Sequence, residues 1–498
     1  MRRVPHTEYS GPRDVGIRMM EPALPNLGGA YATADAAYLE TYHMFDKAHL
    51  VMLSEESLIP RQDAAAMLAA LRVMEGQGAA DVRKEAGGGM HSGEQYLIRL
   101  LGYDVGGRIH LGRSTGDLGA VSRRLRQRDR LLELSGRINT LRATVLQVAE
   151  QNLDTVMPGY TGSQHAQPVT LGHQLMAWAS VLERHFQRAA TAYQRVNQSP
   201  AGAAILTGSS FAINRHRTAE LLGFDGVIKN TFDAIQSHDE TFETLMAVAS
   251  VNLSLSKWTN DINFWFTSEA GYVDIPDRFC GSSSIMMQKR NPSILSNIRA
   301  ASAETMGALM TTYAGDDTVT GEFTTDGGAS LHRTFDRASQ SLDWLNQLLP
   351  DMEVKRDRMM EMAGSAWAQG TDVAAALVTE KGLPWRTAHQ IVGILVRFSY
   401  ERGIKPREVS LELLDEAAME YMGKPVGLSR EALQKALDPA EFVNARKLYG
   451  GPAPDECRRR LPEYHLQLRT DQQWIVDTEG KLRQAAERLE RAIDSLVA

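Results

Sequence analysis

The chain has 498 residues, which exceeds what one compact core usually holds, so two or three domains are expected. Lys and Arg total 54 against 61 Asp and Glu, which gives a net charge of −7, with no long run of one sign. This balance argues against nucleic acid or a membrane surface as a partner. Only two cysteines occur, without disulfide-framework or metal-ligand spacing, so a reducing compartment is expected.

The N-terminal residues 1–18 mix charged side chains with prolines and lack the apolar core of a signal peptide. No later stretch stays apolar for the ~18 residues that a membrane-spanning helix needs. We therefore expect a cytoplasmic protein without membrane spans.

Three segments have the hydrophobic spacing of long helices. The first runs from residue 118 to 148, the second from about 242 to 258, and the third follows Pro292. Strand-like alternation is hard to find. Helices of this length cannot bury their apolar stripes alone, so they are expected to pack against each other or against other subunits.

Turn-forming residues predict loops at several places, among them 158–159 and 315–328. After about Gly364 the pattern changes to shorter amphipathic pieces and ends in a charged helix over 477–496. The expected fold class is all-α with three helical domains. These are an N-terminal domain (1–115), a central long-helix bundle (116–364) with a catalytic loop near 272–292, and a C-terminal domain (365–498).

The most informative stretch is GSSSIMMQKRNP, residues 281–292. Its glycine and three serines make a flexible, hydroxyl-rich loop. Lys289 supplies a positive charge and Asn291 an amide donor, just before a helix that begins with Pro292. These groups suit the binding of an anion. The alternative is a surface serine loop that leads into a helix.

This stretch resembles the signature loop of the fumarase/aspartase superfamily, GSSxMPxKxNP. Other segments resemble the same superfamily, and in particular its argininosuccinate lyase branch: IHLGRSTGD (109–117), MPGYTGSQHAQP (157–168), NTFDAIQSHD (230–239) and GGPAP (450–454). The resemblance extends from about residue 35 to 460. It implies an all-helical, fumarate-forming lyase without a cofactor. It also implies a homotetramer with a central helix bundle and active sites each built from three subunits.

Elimination from a succinyl group removes a proton from the carbon next to a carboxylate, so the developing negative charge must be stabilised. The resemblance implies that a loop serine is the base. Alignment on Lys289 and Asn291 places this base at Ser283, whereas alignment on Gly281 would select Ser282. The lysine and backbone N–H donors are expected to hold the hydroxyl partly ionised.

Substrate-binding residues are expected on three of the motifs. Ser114 and Thr161 match positions that bind a substrate carboxylate in the family, and their hydroxyls donate without adding charge. Arg113 is expected to do the same, or alternatively to pair structurally. As isolated residues, a Ser or Thr near a glycine is usually a turn or cap residue. The expected substrate-binding set is Arg113, Ser114, Thr161, Gln164, Ser284, Met286 and Asn291.

Several positions depart from the argininosuccinate lyase pattern. Thr115 and Gly116 replace an Arg-Asn pair, and Gly162 stands where a histidine that assists proton transfer is expected. Ser296 replaces an acidic partner of the lysine, and residues 323–331 replace the run that helps to hold the arginine part. The fumarate side of the site is therefore predicted to be kept and the leaving-group side to be rebuilt.

His165 is the candidate replacement for the missing histidine, because it would reach round one helical turn from Gly162. His165 thus joins Ser283 and Lys289 as an expected catalytic residue. His110 and His91 are weaker candidates. Each of the three histidines is alternatively a structural residue with a satisfied hydrogen bond.

These departures predict a changed amine half of the substrate. A guanidine, with a parent pKa of ~12.5 or more, leaves reluctantly without an acid, whereas a protonated alkylamine departs as a weaker base. We expect a C–N lyase that eliminates fumarate from an N-alkylated aspartate, such as an aminopolycarboxylate of the ethylenediamine-disuccinate type, or that adds an amine to fumarate. The alternatives are argininosuccinate lyase proper, another lyase of the superfamily, and an inactive crystallin-like homologue. The sequence predicts no metal site.

Overall fold

The computed structural model describes residues 34–316 and 327–498, and helices dominate both ranges, which confirms the all-α fold class. Within these two ranges, eight short strands form four two-stranded pairs. In chain order the helices are α1 Ala36–Glu55, α2 Arg61–Gly76, α3 Ala79–Glu85, α4 Ser92–Leu101, α5 Tyr103–Gly106, α6 Thr115–Glu150, α7 Leu171–Val196, α8 Arg215–Leu221, α9 Asp233–Gln236, α10 Asp239–Phe266, α11 Ser293–Asp316, α12 Gly327–Asp351, α13 Arg356–Ala363, α14 Gly370–Lys381, α15 Trp385–Arg402, α16 Leu411–Met422, α17 Arg430–Leu437, α18 Pro439–Asn444 and α19 Pro454–Val497. The strands are β1 Val156–Thr161, β2 Gln164–Thr170, β3 Gln198–Ser199, β4 Gly226–Val227, β5 Val273–Asp274, β6 Gly281–Ser282, β7 Arg290–Asn291 and β8 Glu353–Val354.

Five long helices, α6, α7, α10, α11 and α12, pack into a central bundle. Three of them, α6, α10 and α11, confirm the helices predicted from periodicity, while α7 and α12 were not predicted. Each helix contributes to one apolar core, in which a fully buried aliphatic side chain is worth about 1.5–3 kcal/mol. Representative members, one per helix, are Leu141, Leu182, Leu255, Ile298 and Leu342.

A β-hairpin joins α6 to α7. Strand β1 pairs antiparallel with β2, and Thr161 opposite Gln164 is the last pair before the turn. Gly162 and Ser163 have φ of 54° and 61°, so both turn residues are left-handed, as in the type I′ turns that suit tight hairpins. The predicted loop at 158–159 and the helical turn from Gly162 to His165 were therefore wrong: residues 158–159 lie in β1, and residues 162–165 form the hairpin turn and the start of β2.

The long helices have two well-separated ends. Helix α6 has 36 residues and is therefore about 54 Å long. Its first end follows Ser114, and its second end leads into the hairpin. Helix α10 starts at the first end, where Glu240 pairs with Arg123 of α6, and finishes near the hairpin, where the Phe264 ring lies 5.0 Å from the Tyr160 ring. The hairpin and the segment after α10 thus lie far from Ser114.

Two smaller cores flank the bundle. Helices α1 and α2 pack with the first turns of α6, and helices α14 to α17 form a separate cluster. The helix predicted over 477–496 is the second half of α19, whose 44 residues start at Pro454. Its first part joins the bundle core through Leu461, and its last turns join the N-terminal core through Ile493. The boundaries 1–115, 116–364 and 365–498 stay predictions.

None of the described helices is long and apolar enough to cross a membrane. Residues 1–33, and 317–326 of the predicted loop at 315–328, lie outside the described residues. Part of the altered run 323–331 falls in the second gap, so its contribution to a leaving-group pocket stays a prediction.

Candidate active site

The serine-rich loop is a narrow hairpin whose base is fixed. Strand β6 pairs antiparallel with β7, and residues 283–289 connect them. At the base, Arg290 donates from Nη1 to the Ile275 carbonyl oxygen at 3.0 Å and from Nη2 to Asp274 at 2.5 Å. At the tip, the Met287 side chain is 98% exposed. The loop therefore projects from a pinned base, with its tip available to a substrate or to another subunit.

Ser283 is the first residue of this connection and is half-buried. Its Oγ accepts the backbone N–H of Met286 at 3.0 Å, and the N–H of Ile285 is at 3.4 Å. Donors that point at a hydroxyl oxygen favour its ionised form. Lys289 is exposed and has no ion pair with the described residues, so its charge is available to the same loop. Ser282, in contrast, lies exposed in β6.

The other residues expected on the loop lie at its tip and at its base. Ser284 and Met286 are exposed at the tip, and Asn291 is half-buried in β7, two residues before the start of α11. The backbone N–H of Lys289 donates to the Met286 carbonyl oxygen at 3.1 Å, which closes a turn within the loop. The loop thus keeps its polar groups next to the N-terminus of a 24-residue helix, where anions are stabilised.

Ser114 lies immediately before α6, and a buried carboxylate holds its backbone. Asp117 accepts the N–H of Ser114 and the N–H of Ala204, both at 3.0 Å. Burial raises the pKa of Asp117 to about 7, although these backbone donors act in the opposite direction. The same segment approaches Gly116 so closely that a Cβ there would lie 2.6 Å from the Ala204 carbonyl oxygen. Backbone occupies the space that the family's asparagine side chain would need.

Arg113 is buried, and its guanidinium donates to Asp46 at 2.6 Å. Asp46 also forms an ion pair with Arg83. Burial alone would raise the pKa of Asp46, but the two guanidinium groups outweigh it and hold this pKa at about 2. Because the guanidinium of Arg113 is ion-paired with buried Asp46, a structural role for Arg113 is favoured over binding of a substrate carboxylate.

The hairpin separates Thr161 from His165. Thr161 and Gln164 are paired and exposed, whereas His165 pairs with Tyr160. Successive strand residues point to opposite faces, so His165 lies on the face opposite Thr161. Its ring stacks on Tyr160 with centroids 5.7 Å apart, its Nδ1 lies 3.5 Å from Ser365 Oγ, and burial lowers its pKa. These contacts do not place His165 where the missing histidine would act.

A cavity of about 600 Å³ lies between the hairpin and helices α7 and α10. Gly162 is on one wall, and Lys257, Asn260 and Asp261 of α10 are on another. Burial raises the pKa of Asp261, and the charge of Lys257 opposes this shift. The sequence analysis did not single out these residues. Their spacing of three and four residues along α10 was the available indication, because it places them on one face.

Comparison with known proteins identifies the family of this chain. Residues 40–307 match the family described as Lyase, and residues 367–444 match the argininosuccinate lyase C-terminal family. The argininosuccinate lyase of Methanothermobacter thermautotrophicus is 36% identical over 433 residues, which are 85% of this chain and 92% of that protein. That of Methanosarcina acetivorans is 34% identical over 458 residues, 90% of this chain and 91% of that protein.

Solved structures give the same result. EDDS lyase in complex with formate has a TM-score of 0.87 and 29% identity, and the match covers 93% of this chain and 92% of that one. An EDDS lyase variant with bound fumarate has a TM-score of 0.86 and 28% identity, and this match covers 95% and 99% of the two chains. The chain therefore belongs to the argininosuccinate-lyase-like branch of the fumarase/aspartase superfamily and is a carbon–nitrogen lyase.

Proposed function

We propose that Ser283 is the base of this lyase and that the substrate is an N-alkylated aspartate of the aminopolycarboxylate type. The reaction is the elimination of fumarate from an N-substituted aspartate, or its reverse. The observation that carries the assignment is the hydroxyl of Ser283, which accepts backbone N–H groups in a loop that also holds the uncommitted charge of Lys289.

The loop supplies what the elimination requires. Ser283 takes a proton from the carbon next to a carboxylate, and the electron pair spreads into that carboxylate. Lys289, Asn291 and the N-terminus of α11 stabilise the developing charge. The C–N bond then breaks, and a nitrogen that was already protonated leaves as a neutral amine. This sequence needs no separate acid at the amine.

Two glycines support the choice of amine half. Gly162 leaves the hairpin tip without an imidazole, and Gly116 leaves the start of α6 without an amide side chain. A basic guanidine is a poor leaving group without an acid, whereas a protonated alkylamine is a better one. The similarity to EDDS lyase agrees with an alkylamine. The 36% identity to an argininosuccinate lyase makes argininosuccinate the second candidate.

The substrate is tested by incubating the enzyme with fumarate and a panel of amines, diamines and arginine, and by identifying adducts by mass spectrometry. We expect adducts with alkylamines or diamines. Release of fumarate from argininosuccinate as fast as from any N-alkyl aspartate would refute the proposed amine half.

The base is tested with two neighbouring serines. Ser283→Ala is expected to lower kcat by about 10²–10⁴-fold, the range for loss of a positioned base. Ser282→Ala is the matched control, because this residue is exposed one position earlier, and its kcat should stay within about tenfold of wild type. If Ser282→Ala loses the activity and Ser283→Ala keeps it, the alignment on Gly281 is the correct one.

A homotetramer with shared active sites is supported by the bundle. Ser114 and the hairpin lie at opposite ends of α6, about 54 Å apart, so one chain does not bring them together. Large apolar side chains also stand exposed on α10 and α11, and contiguous apolar surface of this kind marks interfaces. They are Met246, Leu253, Met306, Met310 and Tyr313.

Shared sites predict complementation between two inactive variants. If Ser114 and Ser283 of one site come from different subunits, random 1:1 mixing of Ser114→Ala and Ser283→Ala chains should give about a quarter intact sites. The two variants are co-expressed, and the activity of the mixture is compared with that of each variant alone. A mixture that assembles normally but stays inactive would show that both serines act from one chain.

A further inference from the structure

Three possible metal ligands meet beside α4, away from the serine loop. Glu94 Oε2 lies 3.1 Å from His91 Nδ1 and 3.0 Å from His110 Nδ1, and the three ligand atoms lie within 4.8 Å of one another. His91 and Glu94 are 2% and 5% exposed, whereas the side chain of His110 is 39% exposed. The group is therefore closed on the protein side and open to solvent on one side.

We propose that His91, Glu94 and His110 bind a divalent transition-metal ion, with Zn²⁺ as the expected ion. Two imidazoles and one carboxylate are a donor set of zinc sites that keep one position open. Tetrahedral zinc, with bonds of about 2.0–2.1 Å, separates its ligand atoms by roughly 3.4 Å. The separations of 3.0 and 3.1 Å between Glu94 and the two rings are slightly shorter than this value, and the third separation, between the two Nδ1 atoms, is at most 4.8 Å. Zinc binding would therefore require the two rings to shift until all three separations approach this value.

The atoms that face one another in this group are the ones that a metal ion binds. Glu94 Oε2 faces the Nδ1 atoms of both His91 and His110. Metal binding needs a carboxylate and neutral imidazoles. When the ion takes the two Nδ1 positions, each ring carries its proton on Nε2 instead.

The local chain explains why the three residues meet. His91 and Glu94 are three residues apart at the start of α4, which puts them on one face. His110 is the last residue of a 3₁₀ turn, Gly107–His110, and its carbonyl oxygen accepts the N–H of Arg113 at 3.3 Å. A bound ion would tie α4 to the turn that leads directly into the segment with Ser114. The site would thus position this segment without taking part in the elimination.

The site is tested with tag-free protein dialysed against EDTA and then titrated with Co²⁺, whose visible spectrum reports its ligands. We expect one Co²⁺ per chain, displaced by one Zn²⁺. His110→Ala and Glu94→Gln should each weaken binding by about a hundredfold or more, since even the loss of an outer-shell partner costs 10–100-fold. His465→Ala is the matched control, because His465 lies 2.5 Å from Glu150 in a pair that no third ligand joins among the residues that the structure describes.

Thermal unfolding gives an independent readout. Zn²⁺ should raise the unfolding midpoint of wild type and of His465→Ala, but not that of His110→Ala. His110 is partly exposed, so its removal is expected to leave the circular dichroism in EDTA unchanged. The proposal would be overturned if wild type bound Co²⁺ no more tightly than His110→Ala. It would also be overturned if His465→Ala weakened Co²⁺ binding as much as His110→Ala does.

Discussion

The first turn of α6 passes so close to a neighbouring segment that only glycine fits at position 116. A Cβ on Gly116 would lie 2.6 Å from the Ala204 carbonyl oxygen and 3.2 Å from Ile205 Cδ1. Relieving the first contact requires backbone movement, and overpacking of this kind costs about 1–3 kcal/mol. Alanine returns about 0.5–1 kcal/mol through its higher helix propensity. We therefore expect Gly116→Ala to lower the free energy of unfolding by about 1 kcal/mol.

The matched control lies on the same helix. A Cβ on Gly136 would meet no atom within 4 Å, so Gly136→Ala should raise the free energy of unfolding by about 0.5–1 kcal/mol. Urea unfolding followed by circular dichroism measures both variants, and gel filtration verifies that the oligomer is unchanged. Asp117 accepts the N–H of Ala204 and also the N–H of Ser114, a proposed substrate-binding residue. Displacing Ala204 should therefore disturb Ser114, so Gly116→Ala should raise KM more than it lowers kcat. If both alanines stabilise the protein equally, the close approach at Gly116 is refuted.

Other side chains give separate tests. Lys289→Met should lower kcat by about 10²–10³-fold while unfolding is unchanged, and equal kcat would remove the lysine from catalysis. His165→Asn should leave kcat within about threefold of wild type, since its ring faces away from Thr161; a loss of ~10²-fold would return it to proton transfer. Burial raises the pKa of Asp117 from 3.8 to about 7, so the folded protein holds this proton more tightly than the unfolded chain does. The free energy of unfolding should therefore fall as pH rises from about 4 to about 7. The urea midpoints of Asp117→Asn should lack this dependence. Asp261 lines the same cavity as Gly162, the position that is altered on the proposed leaving-group side. Asp261→Asn should therefore raise the KM for the amine and leave that for fumarate unchanged, as initial rates of the addition would show.

Periodicity predicted α6, α10 and α11 because each buries a continuous apolar stripe, which leaves regular spacing in the sequence. It failed at the hairpin, where Pro158 and Gly159 resemble a loop. In the structure the pairing register shifts between Pro158 and Tyr160, and such an irregularity accommodates a proline that has no N–H to donate. The strands are also too short for alternation to stand out. The helical turn assigned to His165 failed for the same reason.

Motifs identified candidate site residues but not their arrangement. Nothing in the order Ser114, Thr161, Ser283 indicates which of them share an end of the bundle. The length of α6 decides that, because 36 helical residues separate the first two by about 54 Å. Conversely, the spacing of His91 and Glu94 was visible in the sequence, but His110 joins them only through the reversal of the chain after α4. Contacts that depend on chain reversal leave no periodic pattern to read.

The two glycines that distinguish this chain from the argininosuccinate lyase pattern each have a backbone reason. Gly162 is left-handed, so a histidine there would adopt a conformation that costs about 1–2 kcal/mol in other residues. An asparagine at Gly116 would meet the carbonyl oxygen of Ala204. An asparagine at position 116 therefore requires the main chain to move, whereas a histidine at position 162 requires only a strained left-handed backbone. Because the two positions lie at opposite ends of α6, the proposed amine pocket requires the proposed sharing of sites between subunits if both changes are to act on it.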